Sequence, residues 1–313
     1  MRRTGIALLA VAGLLIAATC GGHEHAAAPA AAPRPSSTAP PPPPPATLLA
    51  AGDIASCASS GDEATADLLD SLVAAHPDAV VAALGDLAYE SGTLAEFAQC
   101  YGPTWGRQKA RTRPAMGNHD VLTPDAAGYR AYFGTDPPER SEPWYSYDLG
   151  AWHVVVLDSN CSLVGCAAGG EQERWLRSDL AAHARPCTLA YWHHPRFSSG
   201  VTHGSDSSVA PLFHALYEAG ADVVLAGHEH NYERFAPLDS TGNQDPTTGV
   251  RSFVVGTGGA SHYPFGSPLA GSEVRDETSF GVLVLTLRAD SYEWEFVPAA
   301  GGTFRDRGSG RCH

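Results

Sequence analysis

The chain has 313 residues, and 34 Asp and Glu against 20 Lys and Arg leave a formal net charge of -14. Lys109 is the single lysine and no basic run follows the first residues, so a nucleic-acid duplex would lack the attraction that normally supplies its affinity. The length leaves room for one core of ordinary to large size, and no internal repeat divides it.

Arg2 and Arg3, followed by the apolar residues 5–18, make an export signal too short for a membrane span. Ala17-Ala18-Thr19-Cys20 resembles a bacterial lipobox, in which the cysteine is acylated and holds the chain to a membrane. An ordinary cleaved signal is the alternative. The signal is taken as residues 1–20, and residues 21–46, rich in Ala and Pro, read as a semi-extended linker. One globular domain is expected over residues 47–313.

Within that domain an apolar run at 47–51 leads to Gly52-Asp53-Ile54, and one at 79–84 leads to Gly85-Asp86-Leu87-Ala88-Tyr89. Gly117-Asn118-His119-Asp120 follows. Runs at 188–192 and 222–226 then lead to His193-His194-Pro195 and Gly227-His228-Glu229-His230. Short apolar runs, β-branched in part and stopped by Gly or a polar cluster, read as strands buried on both faces. Helical patterns at 63–75, 171–183 and 209–219 alternate with them, the last stopped by Gly220. The alternation predicts a largely parallel sheet whose ligands collect at the strands' carboxyl ends.

Further strand-like runs lie at 252–257, 281–288 and 292–297. In the last, Tyr292, Trp294 and Phe296 alternate with Glu293, Glu295 and Val297, which predicts a half-exposed antiparallel strand entered by a turn at Ala289-Asp290-Ser291. Of seven cysteines, Cys20 belongs to the signal and six remain, enough for three bridges. Cys161 and Cys166 bracket a short loop; the pairings of Cys57, Cys100, Cys187 and Cys312 stay open. No second close pair complements Cys161 and Cys166, so disulfides are expected rather than cysteine-bound zinc.

The five motifs together supply two aspartates, a tyrosine, an asparagine and at least three histidines, a donor set for two metal ions rather than one. In this order and at these distances they resemble the calcineurin-like metallophosphoesterase superfamily. Tyr89, three residues after Asp86, resembles the iron-binding tyrosine of its purple acid phosphatase branch, and Ala55 stands where most other branches carry a ligand histidine. The resemblance implies an α/β fold, a four-layer sandwich of two packed mixed β-sheets flanked by helices, with a dinuclear metal site at the strands' C-terminal ends.

It also implies roles. Asp53, Tyr89 and His230 would hold one metal, and Asn118, His193 and His228 the other, with Asp86 bridging the two. Phenolate and carboxylate suit Fe(III), whereas two imidazoles and an amide suit divalent Zn, Mn or Fe(II). A metal-bound hydroxide would attack the phosphorus of a small phosphomonoester, and His119 and His203 are the candidate catalytic groups that protonate the leaving oxygen. The enzyme would be exported, either extracellular or attached to the cell envelope. A phosphodiesterase acting on nucleotides or lipid headgroups is the second reading, and a non-catalytic phosphate-binding surface module the third.

The loops at 122–142 and 262–277 are the candidate pocket walls. Asp120, Glu229, Asn231 and Arg234 flank the ligands and are candidates to orient them. His194 reads as packing or as a group supporting the ligands. His153, His183 and His214 read as structural.

Overall fold

The computed structural model describes residues 43–134 and 142–313, so the expected export signal, Cys20 and most of the linker lie outside the described residues. In chain order the strands are β1 (Ala46–Ala51), β2 (Ala55–Ser56), β3 (Val80–Leu84), β4 (Ala88–Tyr89), β5 (Thr112–Ala115), β6 (Tyr145–Leu149), β7 (Trp152–Val156), β8 (Cys187–Tyr191), β9 (Val223–Ala226), β10 (Tyr232–Phe235), β11 (Arg251–Val255), β12 (Ser272–Asp276), β13 (Gly281–Leu287), β14 (Ser291–Pro298) and β15 (Asp306–Arg311). β1 begins one residue inside the expected linker.

Two mixed sheets result. The first has the order β15-β14-β13-β1-β3-β5, with β1, β3 and β5 parallel and the other three antiparallel. The second has the order β12-β10-β11-β9-β8-β7-β6, with a parallel centre of β11, β9, β8 and β7. The short pair β2 and β4 ties the loop after β1 to the loop after β3, opposing Ser56 to Tyr89.

The sheets pack face to face through the alternation read in β14. Tyr292, Trp294 and Phe296 point inward while Glu293 and Glu295 are exposed. Each inward ring meets an aromatic of the second sheet: Tyr292 with Trp152 at 5.8 Å, Trp294 with Phe253 at 5.7 Å and Phe296 with Tyr232 at 4.7 Å between centroids. Such pairs add roughly 0.5–1.5 kcal/mol each beyond the area they bury.

Helices cover both outer faces. Helix Gly61–Ala75 buries Ala66 and Leu69 in the core that includes β13 of the first sheet. Helices Glu171–Ala182 and Ala210–Glu218 bury Leu176, Leu212, Phe213 and Leu216 against Val155, Ala190 and Val224 of the second. The expected four-layer sandwich is therefore present. Three disulfides close it, Cys57–Cys100, Cys161–Cys166 and Cys187–Cys312, which resolves the pairings the sequence left open. No described helix is long and apolar enough to cross a membrane.

Candidate metal centre

β1, β3 and β5 of one sheet and β8 and β9 of the other end at the same place, and each motif is the turn that follows its strand. The turns are tight. Asp53, Asp86 and His228 take left-handed backbone angles, with φ of 60°, 51° and 71°. Each costs of order 1–3 kcal/mol for a residue other than glycine, and such strain collects where side-chain placement matters. Two glycines permit the approach: a Cβ on Gly117 would stand 2.1 Å from Asp86 Oδ1, and one on Gly227 would stand 2.7 Å from Asp53 Oδ2.

The side chains form two half-clusters that share one carboxylate. In the first, the Tyr89 hydroxyl lies 3.0 Å from Asp53 Oδ1, 3.1 Å from Asp86 Oδ2 and 3.1 Å from His230 Nε2. In the second, His193 Nε2 lies 3.1 Å from Asn118 Oδ1, 3.2 Å from His228 Nδ1 and 3.2 Å from Asp86 Oδ2. Asp86 Oδ2 thus touches both groups. All seven residues named as ligands from sequence converge.

The buried charges act strongly on one another. Burial, together with the Asp53 and Asp86 carboxylates, pushes the Tyr89 phenol well above its ordinary range. Burial would raise Asp86 too, but His193 beside it outweighs this and holds the carboxyl well below the usual carboxylate range. The same contact lifts His193 to about 9 against the effect of its burial. Burial and the neighbouring His193 hold His228 far below the ordinary imidazole range.

Surrounding groups aim these side chains. His193 Nδ1 lies 2.9 Å from the Leu84 carbonyl oxygen, and His230 Nδ1 lies 2.7 Å from Ser261 Oγ. Those contacts leave each Nε2 to face the cluster. Asp120, fully buried, accepts from the Leu87 and Gly117 amides at 3.0 and 2.9 Å and so pins two of the motif loops together.

The two candidate catalytic histidines flank the cluster. His119 packs its ring 4.5 Å from that of Tyr89, with Nε2 3.9 Å from Asp86 Oδ2 and Nδ1 2.6 Å from the Glu90 carbonyl oxygen. His203 stacks on His228 at 4.0 Å. The buried Glu229 carboxylate accepts the backbone N–H groups of His203 and Gly204, so it orients this loop rather than a ligand. Tyr263 was not singled out from sequence. It stacks on His230 at 3.9 Å and meets His203 at 5.6 Å, which makes the 262–277 loop a wall of the site.

Other flanking residues sort by contact. His194 binds Ser159 Oγ at 2.7 Å, and burial with the adjacent His193 lowers it to about 4, in keeping with a supporting role. The Asn231 amide reaches the Tyr263 carbonyl oxygen at 3.4 Å. Arg234 faces away from the cluster and pairs with Asp306 at 2.6 Å and with Glu273. A cleft of about 670 Å³ lined by Lys109, Arg113, Tyr145 and Tyr147 contains none of these residues, so donor chemistry and not cavity size marks the site.

The profile of the calcineurin-like phosphoesterase family matches residues 46–232, a span that holds all seven clustered residues. The chain belongs to that family. Within the calcineurin-like phosphoesterases it is similar to purple acid phosphatase 21 of Arabidopsis thaliana, 31% identical over 198 residues that cover 56% of this chain and 42% of the relative. It is also similar to acid phosphatase type 7 of Homo sapiens, 30% identical over 142 residues, 39% of this chain and 32% of the relative. The matches span less than half the length of these relatives.

In fold the chain resembles purple acid phosphatase PPD1 from yellow lupin (Lupinus luteus) seeds, with a TM-score of 0.69 at 21% identity, covering 85% of this chain and 53% of that one. GAP50, the anchor in the inner membrane complex of Plasmodium, gives a TM-score of 0.69 at 15% identity and covers 86% and 89%. The purple acid phosphatase-like branch implied by Tyr89 agrees with these likenesses.

Proposed function

We propose that this centre hydrolyses small phosphomonoesters with two bound metal ions. One observation carries the reading: seven oxygen and nitrogen donors meet in two groups joined by Asp86 Oδ2. The fit to metal is close. His193 Nε2 stands 3.1–3.2 Å from its three neighbouring donors, near the edge of about 3.3 Å in a tetrahedron with bonds of about 2.05 Å.

The first group fits a harder, more highly charged ion. Tyr89 resists ionisation between Asp53 and Asp86, and a cation there would favour the phenolate that they oppose. Asp53, Tyr89 and His230 would hold Fe(III). Asn118, His193 and His228 would hold divalent Zn, Mn or Fe(II), and Asp86 would serve both. Once bound, the ions supply positive charge to the phosphate and lower the pKa of a coordinated water.

The protein's own residues do the rest. His119, beside Tyr89 and Asp86, and His203, beside His228, are the groups placed to pass a proton to the leaving-group oxygen. Glu229 fixes the loop that presents His203. Tyr263 closes the wall beside His230 and restricts which ester group can sit there. Residues 47–313 would be the catalytic domain, exported by residues 1–20 and tethered by residues 21–46, with lipidated Cys20 as the membrane attachment. The three disulfides support an oxidising compartment.

The test is metal analysis of purified protein, combined with turnover of a chromogenic phosphomonoester and a chromogenic phosphodiester. About two metal ions per chain and preference for the monoester are expected. Faster turnover of the diester would shift the assignment to a phosphodiesterase, and no turnover by metal-replete protein would leave a phosphate-binding module.

A further inference from the structure

On the far side of the second sheet, His153 of β7 is 1% exposed with both ring nitrogens against carboxylates. Nε2 lies 2.7 Å from Asp179 Oδ2, and Nδ1 lies 3.3 Å from Asp148 Oδ1 of β6. Asp179 and His183 stand one turn apart at the C-terminal end of helix Glu171–Ala182. His183 Nδ1 is 3.2 Å from Asp179 Oδ1, and its ring stacks on that of His153 at 4.6 Å. One ligand atom from each of these three residues lies within 4.8 Å of the other two.

We propose that His153, Asp179 and His183 form a second, peripheral site for a borderline divalent transition ion, with Zn²⁺ as the natural probe. Two imidazoles and one carboxylate match that class of ion, whereas Ca²⁺ or Mg²⁺ would call for oxygen ligands. The i,i+4 spacing of Asp179 and His183 makes a helical chelate, and β7 supplies the third donor. Asp148 stands against the Nδ1 of His153, the carboxylate–histidine arrangement that fixes a metal-binding tautomer. The Ser146 hydroxyl donates to Asp179 Oδ1 at 2.8 Å and steadies the carboxylate. His183 Nδ1 also lies 2.9 Å from the Asp179 carbonyl oxygen at the helix end, and the side chain is 45% exposed, so it can leave that contact and turn toward an ion without unpacking the core. Among the described residues the other comparable group away from the motif cluster, Cys187, Asp222 and Cys312, has its sulfurs locked in a disulfide.

The competitor for these ligands is a proton. Burial lowers the affinity of His153 for a proton, but Asp179 and Asp148 outweigh it and lift the imidazole above its ordinary value. Arg185 shares Asp148, and His183 shares Asp179. Without metal, the ion pairs around His153 therefore stabilise the fold below the unfolded pKa of about 6.5, and the contribution is lost as pH rises through the raised folded value. Metal must displace that proton, so its effect runs the opposite way and grows with pH.

Full-chain protein with its catalytic site already loaded is titrated with Zn²⁺ at about pH 6 and about pH 8, alongside His183→Ala. The wild type should hold one more equivalent of zinc than the variant. Its Tm should rise by about 5 °C at roughly a hundredfold excess over Kd, and less at the lower pH. His183→Ala should lose the extra equivalent and the shift while keeping phosphate-ester turnover. Asp179→Asn should also lose the extra equivalent. Equal zinc content in wild type and His183→Ala, or a zinc-induced shift that does not grow with pH, would overturn the site and leave a plain ion-pair network.

Discussion

Tyr89 and Asp53 meet hydroxyl to carboxylate at 3.0 Å in a site where both are almost wholly buried, and burial together with that carboxylate holds the phenol protonated. A phenolate bound to Fe(III) gives a charge-transfer band in the visible. Protein purified with iron should therefore be violet or pink, and Tyr89→Phe should bleach it while Asp53, Asp86 and His230 continue to bind metal. Absorbance measured beside iron content decides. Stoichiometric oxidised iron in a colourless wild type would remove Tyr89 from the ligand set, whereas zinc or manganese alone would be colourless in either case.

Asp86 Oδ2 belongs to both donor groups, so Asp86→Ala should lose both metals together with turnover. His119 contacts the cluster from the side of Tyr89, and His119→Ala should keep the metals and lose rate by about a hundredfold to ten-thousandfold. Metal content of the two variants separates the roles. Equal metal loss in both would make His119 a ligand or a structural prop.

Glu229 is fully buried, and one of its carboxylate oxygens accepts the His203 and Gly204 amides. Glu229→Ala should speed hydrogen exchange at those amides even in metal-free protein, and lower kcat by about tenfold to a hundredfold. Adding it to His203→Ala should cost nothing further, since both changes remove one function. Glu229→Gln, which keeps an acceptor oxygen, should restore most of the rate. Additive losses in the double variant would show that Glu229 does not act through His203.

Most of the ligands were legible because they follow the short apolar runs that became β1, β3, β8 and β9, whereas Asn118 follows β5, which reads Thr-Arg-Pro-Ala, and was legible only from its Gly117–Asp120 motif. What escaped the sequence reading has no such local mark. β15 reads Asp-Arg-Gly-Ser-Gly-Arg and is a strand only because its backbone completes the edge of β14. β12 is likewise a charged edge strand. Arg234 lies four residues after His230, yet β10 sends it to the same side as Tyr232, where both bind Asp306. Tyr263 reaches His230 across 33 positions of chain, and the left-handed turns at Asp53, Asp86 and His228 fall on residue types that tolerate this backbone better than most but adopt it too seldom to mark the positions.

Asp62 lies in the first turn of helix Gly61–Ala75, buried, with Oδ1 unpartnered. Burial pushes its carboxyl up to about 7, with Glu63 adding to the rise and a Thr104 hydrogen bond opposing it. The folded state thus holds a proton that the unfolded chain releases near 3.9, so this group makes stability fall as pH rises between those values. Asp62→Asn cannot ionise, and above about pH 7 it should be more stable than wild type by about 1–2 kcal/mol, with the difference vanishing near pH 4. Urea melts across that range test the sign. A variant that loses stability at high pH would mean that the charge is used in the fold.

Cys187 opens β8, the strand that leads to His193, and Cys312 follows β15 at the edge of the first sheet, so their bridge staples the two sheets together. It spans 125 residues, whereas Cys161–Cys166 spans 5. Loop-closure entropy assigns about 5 kcal/mol to the long bridge and about 2 kcal/mol to the short one. Replacing both cysteines of a pair by alanine should therefore cost far more at Cys187 and Cys312 than at Cys161 and Cys166. Denaturant melts of the two double variants measure the difference, with the slope checked for a change in the unfolded state. The long bridge also fixes β8, so its loss should loosen metal binding at His193 when the protein is only partly destabilised. Equal losses from the two pairs would show that the sheets are held by the Trp152–Tyr292, Phe253–Trp294 and Tyr232–Phe296 contacts without covalent help.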